Sequence, residues 1–227
     1  VTTIAGYTDR EDSLGFPKGG FSDGNALEAR FNRPRDAVVD SEGNIFITDT
    51  GNNAIRKISN GKVFTFGGNG EAGYVDGPGK FARFNNPSGI AIDKYDNLYV
   101  ADTLNHVIRK ITPKGEVSTF VGKYTDNGGY KDGEALDALF NEPSDIAVDK
   151  DGGVYVLDCG NQLVRRVYAG KVSTVAGSTV GSIDDTGYLQ GGFADGSTDT
   201  AKFNFPKGIF LADNGTIFIA DTWNHKI

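Results

Sequence analysis

The chain has 227 residues, 32 of them Gly, with 38% hydrophobic residues and a formal net charge of −7. These numbers exclude a disordered chain and indicate a turn-rich globular protein. The acidic balance disfavours a nucleic-acid-binding surface, and no apolar run approaches the roughly 20 residues that a membrane-spanning helix needs.

An internal repeat organises the chain. A Phe-Asn-x-Pro element occurs four times, and 18 residues after each Phe an Asp opens an Asp-Thr/Cys-x-Asn motif. One such unit cannot bury its own apolar faces, so the repeat predicts a single array over residues 1–227. The pairs are Phe31 and Asp49, Phe84 and Asp102, Phe140 and Asp158, Phe203 and Asp221. The expected units are 1–30 (an outer strand plus a linker), 31–83, 84–139, 140–202 and the incomplete 203–227.

The unit that begins at Phe84 shows four short apolar runs separated by tight turns, which predicts an antiparallel meander. The expected strands are 89–93, 98–101, 106–111 and 117–121. The first two strands of each unit are apolar at nearly every position, whereas the last two alternate. A small sheet covered on both faces, with its inner strands most buried, is typical of a propeller blade packed between two neighbours.

Fixed polar positions within the units are expected to serve the scaffold. The Asp that follows the second strand can accept bonds from backbone N–H groups two residues on and so hold the turn. This applies to Asp49, Asp102, Asp158 and Asp221. The Arg of the third strand is expected to neutralise nearby carboxylates, in the positions Arg56, Arg109 and Arg165. Cys159 replaces the Thr of the other units, and we expect a small buried side chain rather than a reactive thiol.

The linkers between units are long, from 15 residues between Gly68 and Phe84 to 25 between Gly177 and Phe203. Each ends in an Asp-Gly pair followed by Ala-x-Phe-Asn-x-Pro. We expect the Asp-Gly to be a turn, the Phe to plug the gap between adjacent blades and the Pro to fix the entry into the inner strand. The Asp-Gly pairs begin at Asp23, Asp76, Asp132 and Asp195. A calcium or other divalent-metal role is a weaker alternative, because each linker lacks a dense carboxylate cluster; otherwise we expect no cofactor.

Three segments of the second unit, Gly89–Asp93, Asn97–His106 and Ile108–Ile111, together resemble the NHL repeat. The wider pattern covers nearly the whole chain. The name-giving Asn-His-Leu triplet is matched loosely, by Asn53-Ala54-Ile55, Asn105-His106-Val107, Asn161-Gln162-Leu163 and Asn224-His225-Lys226. The resemblance implies an all-β, NHL-type β-propeller of four-stranded antiparallel blades, commonly six in a ring, of which four are present here. The linker form is similar to that of bacterial secreted or surface proteins, and related plant proteins share it, which implies an extracellular or cell-envelope location.

The two ends of the chain leave the closure of the ring open. The segment Val1–Gly6 matches Val172–Gly177, so we expect an outer strand without its own blade. The absence of Met and an end at Ile227 inside a motif suggest an excised fragment or processed segment. Either the first segment completes the last blade, or the four units are an arc of a larger ring. An open arc would expose blade faces and favour self-association.

The connections that enter the inner strand and leave the second strand lie on one face of a propeller, around the central channel mouth. Positions that vary between units are free to serve function, and here they form a polar ring. The ligand-binding candidates are Arg35, Asp36, Ser88, Ser144, Asp145, Lys207, Leu104, His106, Trp223 and His225. At the positions equivalent to Asp36 and Asp145, the other units hold Gly89 and Gly208. Gly51 and Gly160 are equivalent to Leu104 and Trp223, and Asn53 and Gln162 are equivalent to His106 and His225. A solvated rim and a site for a polar or anionic ligand, with Trp223 as anchor, are both compatible with this pattern.

Two classes of function follow. The first is a non-catalytic binding or scaffolding propeller within a larger protein, with a protein, glycan or small-molecule partner. The second is a metal-dependent lyase or hydrolase, because the family resemblance extends to an amidating lyase with His ligands. Only His106 and His225 are present, on non-adjacent units, so a three-ligand catalytic zinc site would need carboxylates. We expect no catalytic residue and no resident metal.

Overall fold

The computed structural model describes residues 1–185 and 187–227, and these residues form an all-β propeller arc. Three five-stranded antiparallel sheets and one two-stranded sheet follow one another as blades 1 to 4, which confirms the predicted fold class. No helix in the described part of the chain has the length and apolarity to cross a membrane.

The strand bounds follow the repeat closely. Blade 1 contains β1 (Gly24–Asn25), β2 (Pro34–Val39), β3 (Ile45–Asp49), β4 (Ala54–Ser59) and β5 (Lys62–Gly67). Blade 2 contains β6 (Gly77–Pro78), β7 (Pro87–Ile92), β8 (Leu98–Asp102), β9 (Val107–Ile111) and β10 (Glu116–Val121). Blade 3 contains β11 (Gly133–Glu134), β12 (Pro143–Val148), β13 (Val154–Asp158), β14 (Leu163–Tyr168) and β15 (Lys171–Ala176). Blade 4 contains β16 (Gly208–Leu211) and β17 (Ile217–Ala220).

A short strand at the start of each of the first three blades was not predicted. The Asp-Gly pairs expected to be turns instead lead into β1, β6 and β11, and each of these pairs with the outermost strand of the blade that follows the linker. The glycines have φ angles of 122° to 132° (Gly24, Gly77, Gly133). The outer strand offers unpaired N–H and C=O groups, which the linker satisfies. Structurally, therefore, each of these blades begins in its linker.

A buried ion-pair cluster ties each linker to its blade. In blade 2 the Asp102 carboxylate accepts bonds from the Asn85 backbone N–H at 2.7 Å and from Arg109 Nη1 at 2.8 Å. Arg109 also contacts the linker carboxylate of Asp76 at 2.5 Å. Its guanidinium lies between the rings of Tyr74 and Phe84, each 5.1 Å from the centroid. The same cluster in blades 1 and 3 joins Asp49, Arg56 and Asp23, and Asp158, Arg165 and Asp132.

This geometry changes the role expected for the repeated Asp. The Asp102 carboxylate accepts no backbone N–H of the turn that follows it, where the N–H of His106 bonds to Thr103, but it accepts the side-chain Nδ2–H of Asn105 in that turn at 2.8 Å. The carboxylate faces inward instead and receives the returning linker. Three of the four linker Asp side chains offered above as weak calcium candidates, Asp23, Asp76 and Asp132, are engaged by guanidinium groups. Burial raises the pKa of Asp102 to about 6, while the charge of Arg109 opposes the rise.

The repeated Phe plugs the gap between blades, as predicted. Phe84 and Phe140 are fully buried. Phe84 lies in one apolar core with Ile55 of blade 1 and with Val100 of blade 2, so its ring seals the junction between them.

The amino-terminal segment lies against the first linker. The backbone N–H of Gly6 bonds to Ala26 at 2.8 Å, just as that of Gly122 bonds to Ala135 at 2.9 Å after an outer strand. Val1–Gly6 thus occupies the position in which a preceding blade would end. Within residues 1–185 and 187–227, no strand pairing joins this segment to blade 4, so the closure that the sequence left open is not observed.

Candidate functional site

Seven residues from four blades meet at the channel mouth. A depression of about 210 Å³ is lined by Arg35, Asp36, Ser88, Gly89, Ser144, Asp145 and Lys207. They converge because every inner strand follows its Phe-Asn-x-Pro element at the same distance, and the inner strands pack side by side around the channel. Six of the ten ligand-binding candidates therefore share one surface.

The two carboxylates of this depression bridge neighbouring blades. Asp36 Oδ2 accepts the N–H of Ile90 in blade 2 at 2.9 Å, and Asp145 Oδ2 accepts that of Ile209 in blade 4 at 2.8 Å. Between blades 2 and 3 the backbones approach closely instead, since a Cβ added at Gly89 would lie 2.5 Å from Asp145 Cα. Asp and Gly thus alternate at this position because the Asp side chains bond to the next blade, whereas Gly allows close approach of the backbones.

Burial raises the pKa of Asp145 to about 6. Bonds from the N–H groups of Ile209 and Ile146 lower the pKa, the neighbouring charge of Asp36 raises it and that of Arg35 lowers it. Asp145 is therefore a carboxyl group that changes charge just below neutral pH.

The two serines are also held between blades. Ser88 Oγ donates to the carbonyl of Ser144 at 2.7 Å, and Ser144 Oγ donates to that of Pro206 at 3.0 Å. Both side chains are buried. Their hydroxyl protons are engaged by the scaffold rather than directed to the depression.

Arg35 and Lys207 differ from these four groups. Arg35 is exposed, and the ammonium of Lys207 lies 5.7 Å from the centroid of the Phe205 ring. Neither cation forms an ion pair with a carboxylate among the residues that the structure describes. No carboxylate of the described residues neutralises either charge, and the Lys207 side chain also bonds to the buried Cys159 thiol.

His106 has an inter-blade partner that the sequence did not reveal. Its Nδ1 accepts the backbone N–H of Glu142 at 3.0 Å, so the ring proton of the neutral imidazole is on Nε2. The equivalent Asn53 and Gln162 accept the same N–H of their neighbouring blades, from Asn86 and Phe205. Burial lowers the pKa of His106, which favours this neutral acceptor.

The second histidine does not join the first. His225 is exposed on blade 4, with blade 3 between it and His106. Across residues 1–185 and 187–227, no three His, Cys, Asp or Glu side chains are grouped closely enough to hold a metal ion. Cys159 is buried, as expected, and burial raises the pKa of its thiol.

Leu104 and Trp223 project from the turn after the second strand, with 42% and 61% of their surface exposed. Trp223 belongs to a group that sequence reasoning missed. Its ring centroid lies 4.4 Å from that of Phe205, which lies 5.5 Å from that of Tyr188. We call Tyr188, Phe205 and Trp223 the aromatic row. A signal was present: Phe205 stands where the other units have Arg33, Asn86 and Glu142.

The family model for the NHL repeat matches three segments, residues 31–58, 84–111 and 140–166. Each segment runs from the repeated Phe to the third strand of blade 1, 2 or 3. The chain is an NHL-repeat protein. The NHL core is thus the part of each blade that carries the Phe plug and the Asp and Arg of the buried cluster.

Curated relatives match part of this chain at moderate identity. Protein SUPPRESSOR OF QUENCHING 1, chloroplastic, of Arabidopsis thaliana is 38% identical over 104 residues, which is 44% of this chain and 10% of that protein. NHL repeat-containing protein 2 of Bos taurus is 32% identical over 153 residues, 61% of this chain and 21% of that protein. The NHL chain therefore spans a minor part of these relatives.

Solved structures show the same fold. An auxiliary nutrient binding protein from Bacteroides thetaiotaomicron superposes with a TM-score of 0.67 at 17% identity, over 98% of this NHL chain and 53% of that chain. A protein of the same description from Bacteroides ovatus gives a TM-score of 0.66 at 18% identity, with the same coverage. At these identities the likeness extends to the fold alone.

Proposed function

We propose that this NHL propeller is a non-catalytic binding module, within a larger protein, that presents its channel mouth to a polar or anionic partner. The observation that carries the proposal is the difference between the groups of the depression. Asp36, Asp145 and the two serines are bonded between blades, whereas Arg35 and Lys207 keep unpaired cations at the rim. Such convergent polar groups in a preformed hollow are typical of a ligand site.

The proposal includes a location outside the cytoplasm or in the cell envelope. The linker form in the sequence supports it, and two proteins of the same fold are described as auxiliary nutrient binding proteins. The partner is a protein, a glycan or a small molecule that bears hydrogen-bond acceptors or a negative charge, because a guanidinium and an ammonium group offer only donors.

The test is an NMR titration with small carboxylates and phosphates, compared with neutral fragments of similar size. We expect the anions to shift the backbone amide signals of Gly89, Ser144 and Gly208, which surround the depression. The double variant Arg35→Glu with Lys207→Glu should lose these shifts, because both cations are replaced by carboxylates that repel the ligand.

A matched control reverses the same amount of charge elsewhere. Lys94→Glu with Lys114→Glu alters two exposed turns at the opposite ends of the strands, roughly 20 Å from the mouth for a six-residue strand. This control should keep the shifts. The proposal fails if the rim variant binds the anions as well as the wild-type protein does, or if the shifts appear only at the opposite rim.

A further inference from the structure

The aromatic row is not part of the repeated scaffold. The position of Trp223 holds Gly51, Leu104 and Gly160 in the other blades, and that of Phe205 holds Arg33, Asn86 and Glu142. Tyr188 comes from the longest linker, whose hairpin reaches back over blade 3 through the bond from the Leu189 N–H to Gly160. Three separate departures from the repeat thus bring three rings together at one place.

Backbone strain accompanies this arrangement. Phe205 has a φ of 47°, in the left-handed region where a bulky side chain is unfavourable. Asn86 takes the same conformation in blade 2 more easily, because a short polar side chain tolerates it. Arg33 and Glu142 also adopt it in blades 1 and 3, so the left-handed conformation belongs to the repeat position, and only the phenylalanine side chain is special to blade 4.

A neighbouring blade does not by itself bury the position that Trp223 occupies. Leu104 occupies the same position in blade 2 and remains 42% exposed, although blade 3 packs beside it. A neighbouring blade alone therefore leaves this position open on the channel-mouth face, whereas Gly160 of blade 3 is buried where the linker bonds to it through Leu189.

A cationic group and a carboxylate flank the aromatic row. The ammonium of Lys207 lies over Phe205, and the Tyr188 hydroxyl donates to Glu142 Oε1 at 2.5 Å. Lys207 also lines the channel-mouth depression, so the row and the depression are continuous. A ligand here meets a flat aromatic face, a donor and an acceptor within one surface.

We propose that the aromatic row binds an oligosaccharide that carries carboxylate groups, which rests on the proposed function and specifies its ligand. The C–H groups on one face of a sugar ring are slightly positive and stack on the electron-rich face of an indole. Its hydroxyls need both donors and acceptors, which Lys207 and Glu142 supply. A sugar carboxylate pairs with Lys207 and, further into the depression, with Arg35.

A nucleotide fits less well. It would also stack on Trp223, but its phosphate would concentrate about two negative charges near the carboxylates of Glu142 and Asp145, whereas each sugar carboxylate carries only one. A peptide strand would need unpaired backbone groups to pair with, and the rings of the row supply none.

The chain contains a single Trp, so its fluorescence reports on this site alone. The probes are tetragalacturonate, which carries four carboxylates, and maltotetraose, a neutral α-1,4-linked tetrasaccharide of the same length. We expect a saturable change in Trp223 emission with tetragalacturonate, and affinity weaker by about tenfold or more for maltotetraose, which lacks the charge-assisted bonds.

Two variants copy residues that the scaffold already accepts. Trp223→Leu reproduces the Leu104 position, and Phe205→Asn reproduces the Asn86 position, so both should fold. By calorimetry, Trp223→Leu should weaken tetragalacturonate binding about tenfold or more, since exposed aromatic anchors dominate such sites. Lys207→Gln should weaken tetragalacturonate but leave maltotetraose unchanged.

The outcomes separate this inference from the proposal on which it rests. If small anions still bind at Arg35 and Lys207 while tetragalacturonate leaves Trp223 emission unchanged, the saccharide inference is overturned and the binding module stands. Tighter binding of adenosine monophosphate or of a proline-rich peptide than of tetragalacturonate also overturns it. If the wild-type protein binds neither the small anions nor tetragalacturonate, the binding-module proposal and the saccharide inference are both overturned.

Discussion

The inner strand of blade 2 and those of the two end blades have similar sequences and very different surroundings. Five of the six residues of β7 are buried, whereas β2 has none and β16 has none. Phe210 and Phe218 of blade 4 are 65% and 48% exposed. The difference shows that a blade gains its core from its neighbours, because neither of its faces is covered by its own strands.

The exposed end faces bear on the expected self-association, which stays a prediction. An apolar surface of this kind favours contact with another chain. The comparison of middle and end blades yields tests that do not depend on any ligand.

The largest expected effect is the loss of a buried cation in a middle blade. Arg109→Ala leaves the buried Asp102 carboxylate without its partner, so we expect a loss of about 3–5 kcal/mol of unfolding free energy. Arg56→Ala in blade 1 should cost less, because Arg56 Nε has no hydrogen-bond partner, whereas Arg109 Nε bonds to Asp76. Chemical denaturation measures both, with Lys114→Ala as an exposed control.

Equal losses for Arg56→Ala and Arg109→Ala would contradict the distinction between end and middle blades. A loss below about 1 kcal/mol for Arg109→Ala would contradict the structural role of the cluster itself.

The second test removes apolar side chains from equivalent positions. Leu98 is fully buried at the start of β8, and Ile217 holds the same position in β17 with its side chain partly exposed. Leu98→Ala should cost about 2–5 kcal/mol, and Ile217→Ala clearly less, since little water is excluded there. Thermal unfolding compares the two, and a larger cost at Ile217 would refute the dependence on neighbours.

The third test concerns pH at the junction of blades 3 and 4. The pKa of Asp145 is raised by burial from 3.8 to about 6, so the folded protein keeps this proton where the unfolded chain releases it. The associated stability is full below about pH 4 and is lost as the pH rises through about 6. Asp145→Asn removes this loss.

Between about pH 4 and pH 7, the unfolding free energy of Asp145→Asn should therefore rise relative to the wild-type protein, by on the order of 2 kcal/mol. Denaturation at a series of pH values measures this difference. The contributions of the other titrating groups cancel, because both proteins contain them. A constant difference across this range would show that Asp145 titrates as an ordinary carboxyl group.

The smallest expected effect lies at the opposite rim. Ser41 of blade 1 bonds to the Asp96 carboxylate of blade 2 through its N–H and its hydroxyl, both exposed. Ser41→Ala removes one exposed bond, so the loss should stay below about 1 kcal/mol. Ser118→Ala on an outer strand is the matched control, and a loss from Ser41→Ala as large as that from Arg109→Ala would reverse the order proposed here.

The sequence by itself determined the blades. The strands of 98–101 and 117–121 and the Phe84 plug follow from local patterns, because alternation and apolar runs act over a few positions. The linker strands β1, β6 and β11 were not predicted, because a strand of two residues is too short to show a periodic pattern.

Only the tertiary structure decided which varying positions are free. The hydrogen bond from Ile90 to Asp36 spans 54 residues. The hydrogen bond that His106 accepts comes from the backbone N–H of Glu142, 36 residues away. Sequence spacing does not show such partners, since they arise when separate blades pack side by side. The same packing brings Tyr188 to Phe205 and leaves Arg35 and Lys207 unpaired. The side chains that remain available to a ligand were therefore set by contacts between repeats, not by the repeat itself.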